Sequence, residues 1–209
     1  MRKINIITDS TSDLSPELLE KNHIQVLPLF VTFGEESYRD GVDITTEELY
    51  SKVEEYKTLP KTAALPPAMF SEVFASYSKD EDIIFMGIGS GFSATFQNAN
   101  IAAAEFDNVY IVDSQNLSSG TGLLLLKMCK FRDQGLAVTE VIKKVEAIVP
   151  LVSTQFAINT LDYLHMGGRC SGTSKIFGTL LKIKPIIRVI DGKMEVAKKP
   201  RGKYTKALD

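Results

Sequence analysis

Cysteine is scarce in this 209-residue chain: Cys129 and Cys170 are the only two, too few for a disulfide framework or a four-thiolate zinc site. Histidine is as sparse, at His23 and His165, and with no H-x-x-x-H or C-x-x-C spacing no metal site is expected. Charge of one sign is also missing. The 24 Lys and Arg against 26 Asp and Glu leave −2, which argues against a general nucleic-acid binder, since those carry a basic excess. No apolar run approaches the ~20 residues that cross a bilayer. The longest helical candidate, Gly122 to Met128, is interrupted by Lys127. A charged-then-apolar leader is absent ahead of a first strand expected at Lys3, so the expectation is a cytoplasmic protein without membrane insertion.

What is present is ordinary for a globular chain: 44% hydrophobic and 24% charged residues. The length suits one large or two small domains, burying roughly 70% of the unfolded surface. One asymmetry stands out. Lys182 to Lys206 holds nine Lys or Arg against Asp191 and Glu195, which reads either as a solvated strand pair and tail or as a contact for phosphate or an acidic partner.

Short apolar runs alternate with helix-period segments up to residue 150, the pattern of βα units and a mainly parallel sheet with flanking helices. Strands are expected at Ile4 to Thr8, Gln25 to Phe33, Ile83 to Ile88 and Val109 to Val112. Ser15 caps a helix opened by Pro16, and Thr45 with Glu48 has capping-box spacing. Thr139 is the expected cap of a helix whose Val141, Ile142, Val145 and Ile148 form one apolar face, stopped by Pro150. Residues 151–209 then make a smaller α/β unit. It comprises a strand over Thr154 to Thr160, the segment Leu161 to Leu164, a glycine pair, a helix from about Ser174 to Leu181, and a hairpin turning at Asp191-Gly192. A core that small leans on the first domain, residues 1–150, or on a partner.

The stretch from Met86 to Ala99 is the most informative. A buried strand enters the Gly/Ser loop Gly87-Ile88-Gly89-Ser90-Gly91-Phe92-Ser93 and then a helix. Glycines let a ligand approach the backbone, and the helix N-terminus adds unpaired donors and partial positive charge, so the loop suits an anion, with Ser93 and Thr95 as hydroxyl donors. The same composition also serves as a simple turn and cap. It is neither a dinucleotide fingerprint nor a Walker loop. Gly91-Phe92-Ser93-Ala94-Thr95 departs from a nucleophile elbow at its last position, yet Ser93, Asp113 and His165 keep the chain order of α/β-hydrolases, which leaves a serine esterase or acyltransferase open. Asp9-Ser10-Thr11-Ser12-Asp13 begins like a phosphatase aspartate motif but lacks its second Asp two residues on. Ser10 and Asp13 are read instead as satisfying loop amides. Lys61-Thr62-Ala63-Ala64-Leu65-Pro66-Pro67 reads as a polar loop in which Thr62 is either a ligand hydroxyl or a local donor. Gly167-Gly168-Arg169 allows close approach of a ligand or another chain.

Together the segments Ile7-Thr8-Asp9-Ser10, Arg39-Asp40-Gly41-Val42-Asp43-Ile44, Lys61-Thr62, Ser90 to Ala99 and Val112-Asp113-Ser114 resemble the DegV family of bacterial fatty-acid-binding proteins. So do Leu161-Asp162-Tyr163-Leu164 with Gly167-Gly168-Arg169, Lys184-Pro185-Ile186-Ile187 and Asp191-Gly192-Lys193, and the pieces span essentially the whole chain. The resemblance implies two α/β domains with a long-chain fatty acid, roughly C14 to C18, between them and no other cofactor. Its carboxylate is held by Thr62 and Ser93, with Gly91, Phe92, Ala94 and Thr95 of the loop alongside. It also implies a non-enzymatic carrier that presents the acid to a kinase partner for acyl-phosphate formation, with Arg169 and the basic region as partner or phosphate contacts. Hydroxyls and helix-terminal N–H groups solvate a carboxylate without a buried cation, while the tail contributes ~0.8 kcal/mol per buried CH₂.

Three features depart from the family pattern. Members continue beyond the stretch matched by Lys199-Pro200-Arg201, including a loop with a His near the carboxylate. The second domain is therefore expected to be C-terminally short and incomplete, completed by another copy of the chain, by another protein, or left as a non-binding remnant serving assembly. Ala63-Ala64-Leu65-Pro66 replaces the usual Ser-Gln-Pro-Ser after the loop Thr, and Ala94 replaces a common Gly.

Overall fold

Alternating burial along the first strand sets the layout of the N-terminal unit. In β1 (Ile4–Asp9), Ile4 and Ile6 face one apolar cluster and Ile7 the opposite one. β1 lies inside a parallel sheet ordered β2-β1-β6-β7, with β2 at Ile24–Leu27, β6 at Asp82–Phe85 and β7 at Val109–Ile111. On one face Ile4, Ile6, Ile84, Met86 and Val112 pack with Leu124, Leu125 and Met128 of α5 (Ser118–Asp133) and Val138, Val141 and Val145 of α6 (Val138–Ile148). On the other, Ile7, Ile83, Phe85 and Val109 meet Phe70 and Phe74 of α3 (Pro67–Ala75) and Ala99 and Ala102 of α4 (Thr95–Ala103). Strands buried on both faces read as the continuous apolar runs found here. The chain is therefore α/β, with a parallel sheet between helices. In this computed structural model residues 2–158, 164, 167–171 and 184–201 are described, and the chain divides into units Met1–Val152 and Ser153–Asp209.

The expected single strand over Gln25 to Phe33 is two strands in different sheets. β2 ends at Leu27 because Pro28 has no N–H for the ladder. The chain then enters β3 (Phe30–Phe33), centre of an antiparallel sheet ordered β4-β3-β5, with β4 at Glu36–Arg39 and β5 at Lys61–Ala63. The crossing is pinned at Leu29, whose N–H donates to Ser10 Oγ at 3.2 Å and whose carbonyl accepts the Asp40 N–H at 2.8 Å. Helix α2 (Thr46–Tyr56) covers this small sheet, placing Leu49 and Val53 against Val31, Phe33 and Ile44.

Two of the three expected caps form. Ser15 accepts the Leu18 N–H at the start of α1 (Pro16–Lys21), and Thr45 with Glu48 closes a reciprocal capping box. Thr139 is not a cap. Helix α6 starts two residues earlier than that cap implies, at Val138, with Ala137 as its N-cap and Glu140 reaching back to accept the Ala137 N–H at 3.2 Å. The earlier start buries Val138 in the core. Lys127, which breaks the apolar run, sits on the solvent side of the sixteen-residue helix α5.

The second unit carries a sheet ordered β8-β10-β11-β9, with β8 at Thr154–Ala157, β9 at Cys170–Ser171, β10 at Ile186–Ile190 and β11 at Lys193–Lys198. Asp191 and Gly192 both have positive φ, 48° and 67°, as a two-residue type I′ hairpin requires. β8 is shorter than expected, and residues 159 and 160, the segment Leu161 to Tyr163, His165 and the helix expected from Ser174 to Leu181 lie outside the described residues. Among the described residues no helix is long and apolar enough to cross a membrane.

Candidate functional site

From β1 the chain steps to β2 on one side and returns to β6 on the other, so the carboxyl ends of β1 and β6 flank a topological switch point. Open α/β sheets bind ligands there because the loops diverge and leave a crevice. The β1 loop is organised by Asp9, a wholly buried carboxylate that accepts the Thr11 N–H at 3.0 Å, the Thr11 hydroxyl at 2.6 Å and the Ile88 N–H at 2.7 Å. Burial pushes its carboxyl above the ordinary value of 3.8, against the lowering effect of those three bonds. Gly87 is obligatory beside it, since a Cβ there would fall 2.1 Å from Asp9 Oδ2. The same contact explains why β6 ends at Phe85 rather than at Ile88: the Ile88 N–H turns to Asp9 instead of a neighbouring strand. As expected, Ser10 accepts a backbone amide, that of Leu29, whereas Asp13 accepts the Ser118 hydroxyl.

The loop after β7 grips the glycine loop at successive points. Ser114 Oγ, fully buried, donates to the Gly87 carbonyl at 2.8 Å, and the Gly89 N–H donates to the Asn116 carbonyl at 2.8 Å. Asp113 Oδ1 accepts the Ser90 and Gln115 N–H groups, both at 3.0 Å, and Asp113 Oδ2 accepts the Ser90 hydroxyl at 2.6 Å. A Cβ at Gly89 would lie 2.8 Å from the Asn116 amide nitrogen, so the two backbones touch. From sequence, Asp113-Ser114 carries only a strand-end or triad role. The signal that could have found the clamp is two glycines two residues apart opposite an Asp-Ser pair.

Past Ser90 the loop curls over the buried Phe92 ring, with the Phe92 N–H on the Gly89 carbonyl at 3.0 Å, while Gly91 and Ala94 are exposed. Ser93 Oγ accepts the Thr95 N–H at 3.2 Å and lies 2.9 Å from Thr95 Oγ1. Ala94 occupies the N-cap of α4 without a side-chain acceptor, so the first turn is not capped by its own side chain. Thr95 differs from its expected place as a ligand hydroxyl. It is completely buried, and its hydroxyl is turned to Ser93.

Thr62 is in a strand rather than a loop. It is the middle residue of β5, paired with Val31 and exposed. The segment leaving β5 is tied to the Ser93 helix, because Asn98 Nδ2, one turn into α4, donates to the Leu65 carbonyl at 2.8 Å. Arg169 belongs to the second unit and is exposed, its Nη1 donating to the Gly167 carbonyl at 2.6 Å. Of the hydrolase-like set, Asp113 is bonded to Ser90 and Gln115 while Ser93 is bonded to Thr95. His165 lies outside the described residues.

Helices on both faces of a parallel sheet, with a Gly/Ser loop and the start of α4 at its switch point, make the first unit a doubly wound α/β fold. A family model described as an uncharacterised protein of the DegV family matches residues 3–208, and the chain belongs to that family. A DegV domain-containing protein of Clostridium perfringens is 38% identical over 213 aligned residues, spanning all of this chain and 76% of its own length. The structure of a DegV family protein from Thermus thermophilus, described by its fatty acid binding, superposes with a TM-score of 0.89 at 32% identity over 100% of this chain and 77% of that one. A stearic acid-binding protein from Eubacterium ventriosum gives 0.87 at 30% identity, over 98% of this chain and 72% of its own.

Proposed function

We propose that this chain binds a long-chain fatty acid, with the carboxylate at Ser93 and Thr62 and the acyl tail between its two units as the family resemblance implies. The observation that carries the reading is the Ser93 hydroxyl, bonded to Thr95 at the start of α4, whose N-cap Ala94 has no side-chain acceptor, beside the switch point. Ser93 Oγ accepts the Thr95 N–H, and in the arrangement in which the Thr95 hydroxyl donates to it, the Ser93 proton is left to donate to a carboxylate oxygen. Such a charge-assisted bond is about twice as strong as a neutral one. Thr95 thereby acts on the ligand through Ser93. The acid-binding proteins of Thermus thermophilus and Eubacterium ventriosum support the ligand class. The tail would supply most of the affinity, at ~0.8 kcal/mol per buried CH₂.

In this reading the protein is a carrier: a kinase partner phosphorylates the bound carboxylate, and Arg169 with the basic hairpin of the second unit meets that partner or the incoming phosphate. Native mass spectrometry of gently purified protein, followed by denaturing lipid extraction, tests the central claim. The expected result is a stoichiometric fatty acid in the parent protein, lost in the Thr62→Ala/Ser93→Ala double variant. A protein that stays empty after incubation with palmitate and oleate would overturn it.

A further inference from the structure

We infer that Asp113 is the positioning residue of the carboxylate seat, acting on the ligand only through the loop it holds; this rests on the Ser93 seat proposed above. Three contacts from the β7 loop fix the glycine loop at residues 87, 89 and 90, and they differ in kind. Those of Ser114 with Gly87 and Asn116 with Gly89 are single bonds between buried or close-packed groups. The third is a chelate. One carboxylate takes both the amide and the hydroxyl of Ser90 and also the Gln115 amide of its own loop, so it locks Ser90 in two directions against a rigid base. Ser90 is three residues from Ser93, and between them only the Phe92 ring is buried. Removing the carboxylate frees the exposed half of the loop, Ser90 and Gly91, while the Phe92 anchor and the Ser114 and Asn116 contacts remain.

A seat built this way loses orientation, not substance, when Asp113 is changed. Donors aimed at a charge lose strength with angle and distance far more steeply than apolar contacts do. The effect therefore falls on the ligand's carboxylate and spares its tail. Asparagine keeps an oxygen able to accept the Ser90 and Gln115 amides and an NH₂ able to meet Ser90 Oγ, so it preserves the chelate without the charge. A role that used the Asp113 charge itself, as the orienting acid of a catalytic triad does, would not survive that exchange.

The test compares binding of palmitic acid and of its methyl ester to the parent protein, Asp113→Ala, Asp113→Asn and Ser93→Ala, with thermal unfolding of each. The expected result is roughly tenfold weaker palmitate binding in Asp113→Ala, the scale of one lost charge-assisted bond. Methyl ester binding should stay within about threefold, and Asp113→Asn should restore most of the palmitate affinity. If Ser93→Ala abolishes the preference for acid over ester while Asp113→Ala leaves it intact, the positioning role is overturned and the seat stands. Equal loss of acid and ester in Asp113→Ala, or an Asp113→Asn variant as impaired as Asp113→Ala, also overturns it. A parent protein with no preference for the acid overturns the seat itself.

Discussion

At the scale of single residues, the site depends on groups whose partners are far away in sequence. Asp9 shows what this does to titration. Its carboxyl is raised by burial, so the folded protein holds that proton more tightly than the unfolded chain. The linked stabilisation is fully present below the ordinary carboxyl value of 3.8 and declines as pH rises through the folded value. Asp9→Asn removes the titration while keeping an acceptor for the Ile88 amide. In urea unfolding from about pH 4 to about pH 7 the parent protein should lose stability relative to Asp9→Asn as pH rises. Parallel pH dependences would refute the assignment. Asp43 titrates in the opposite sense: its hydrogen bonds to the Arg39 guanidinium lower its carboxyl to about 2, so its contribution is present above 3.8 and fades only as pH falls toward 2. The candidate anion loop was legible at this scale because Gly89, Ser90, Gly91 and Ser93 cluster after an apolar run. The buried role of Thr95 was not: nothing in Ser93-Ala94-Thr95 says which hydroxyl faces inward until α4 fixes its rotation against Ala99 and Ala102.

At the scale of elements, local signals read well where the energy is local. The Thr45 capping box needs only residues 45 to 48 and forms as expected. Thr45→Ala should lower the unfolding free energy by about 1 kcal/mol, seen as an earlier midpoint in urea at unchanged slope. No change would mean that α2 is held by Val31, Phe33 and Ile44 alone. Elements settled by tertiary pairing were hidden. Residues 25–33 look like one apolar run, and only Pro28 hints that two sheets share it. Glu36–Arg39 and Lys61–Ala63 lack apolar alternation because both flank β3 at the sheet's edges, exposed to solvent. That is why Thr62 reads as loop in the sequence and stands in a strand in the fold.

At the scale of the whole molecule, near-neutral charge conceals an uneven distribution. Within the described residues the second-unit hairpin exposes Lys193, Lys198, Lys199 and Arg201, while Arg188 is paired with Glu195 at 2.6 Å. A surface of this sign favours encounter with a phosphate-bearing partner, and its effect is felt mainly in association rate and salt dependence. On the carrier reading proposed above, Arg169→Glu should slow phosphoryl transfer from ATP to the bound acid by the partner kinase, most at low salt. Unchanged turnover across ionic strengths would remove Arg169 from the partner contact.

The two fastenings of the glycine loop also carry different histories. Ser90 reaches Asp113 across 23 residues, whereas Ile88 reaches Asp9 across 79, and closing the longer span costs about 1 kcal/mol more in chain entropy. The β6–α4–β7 segment can therefore gather early as a compact βαβ nucleus with the clamp already in place. The Asp9 contact instead requires a strand from outside that unit. The glycine loop is thus fastened once from within its own βαβ unit and once from without.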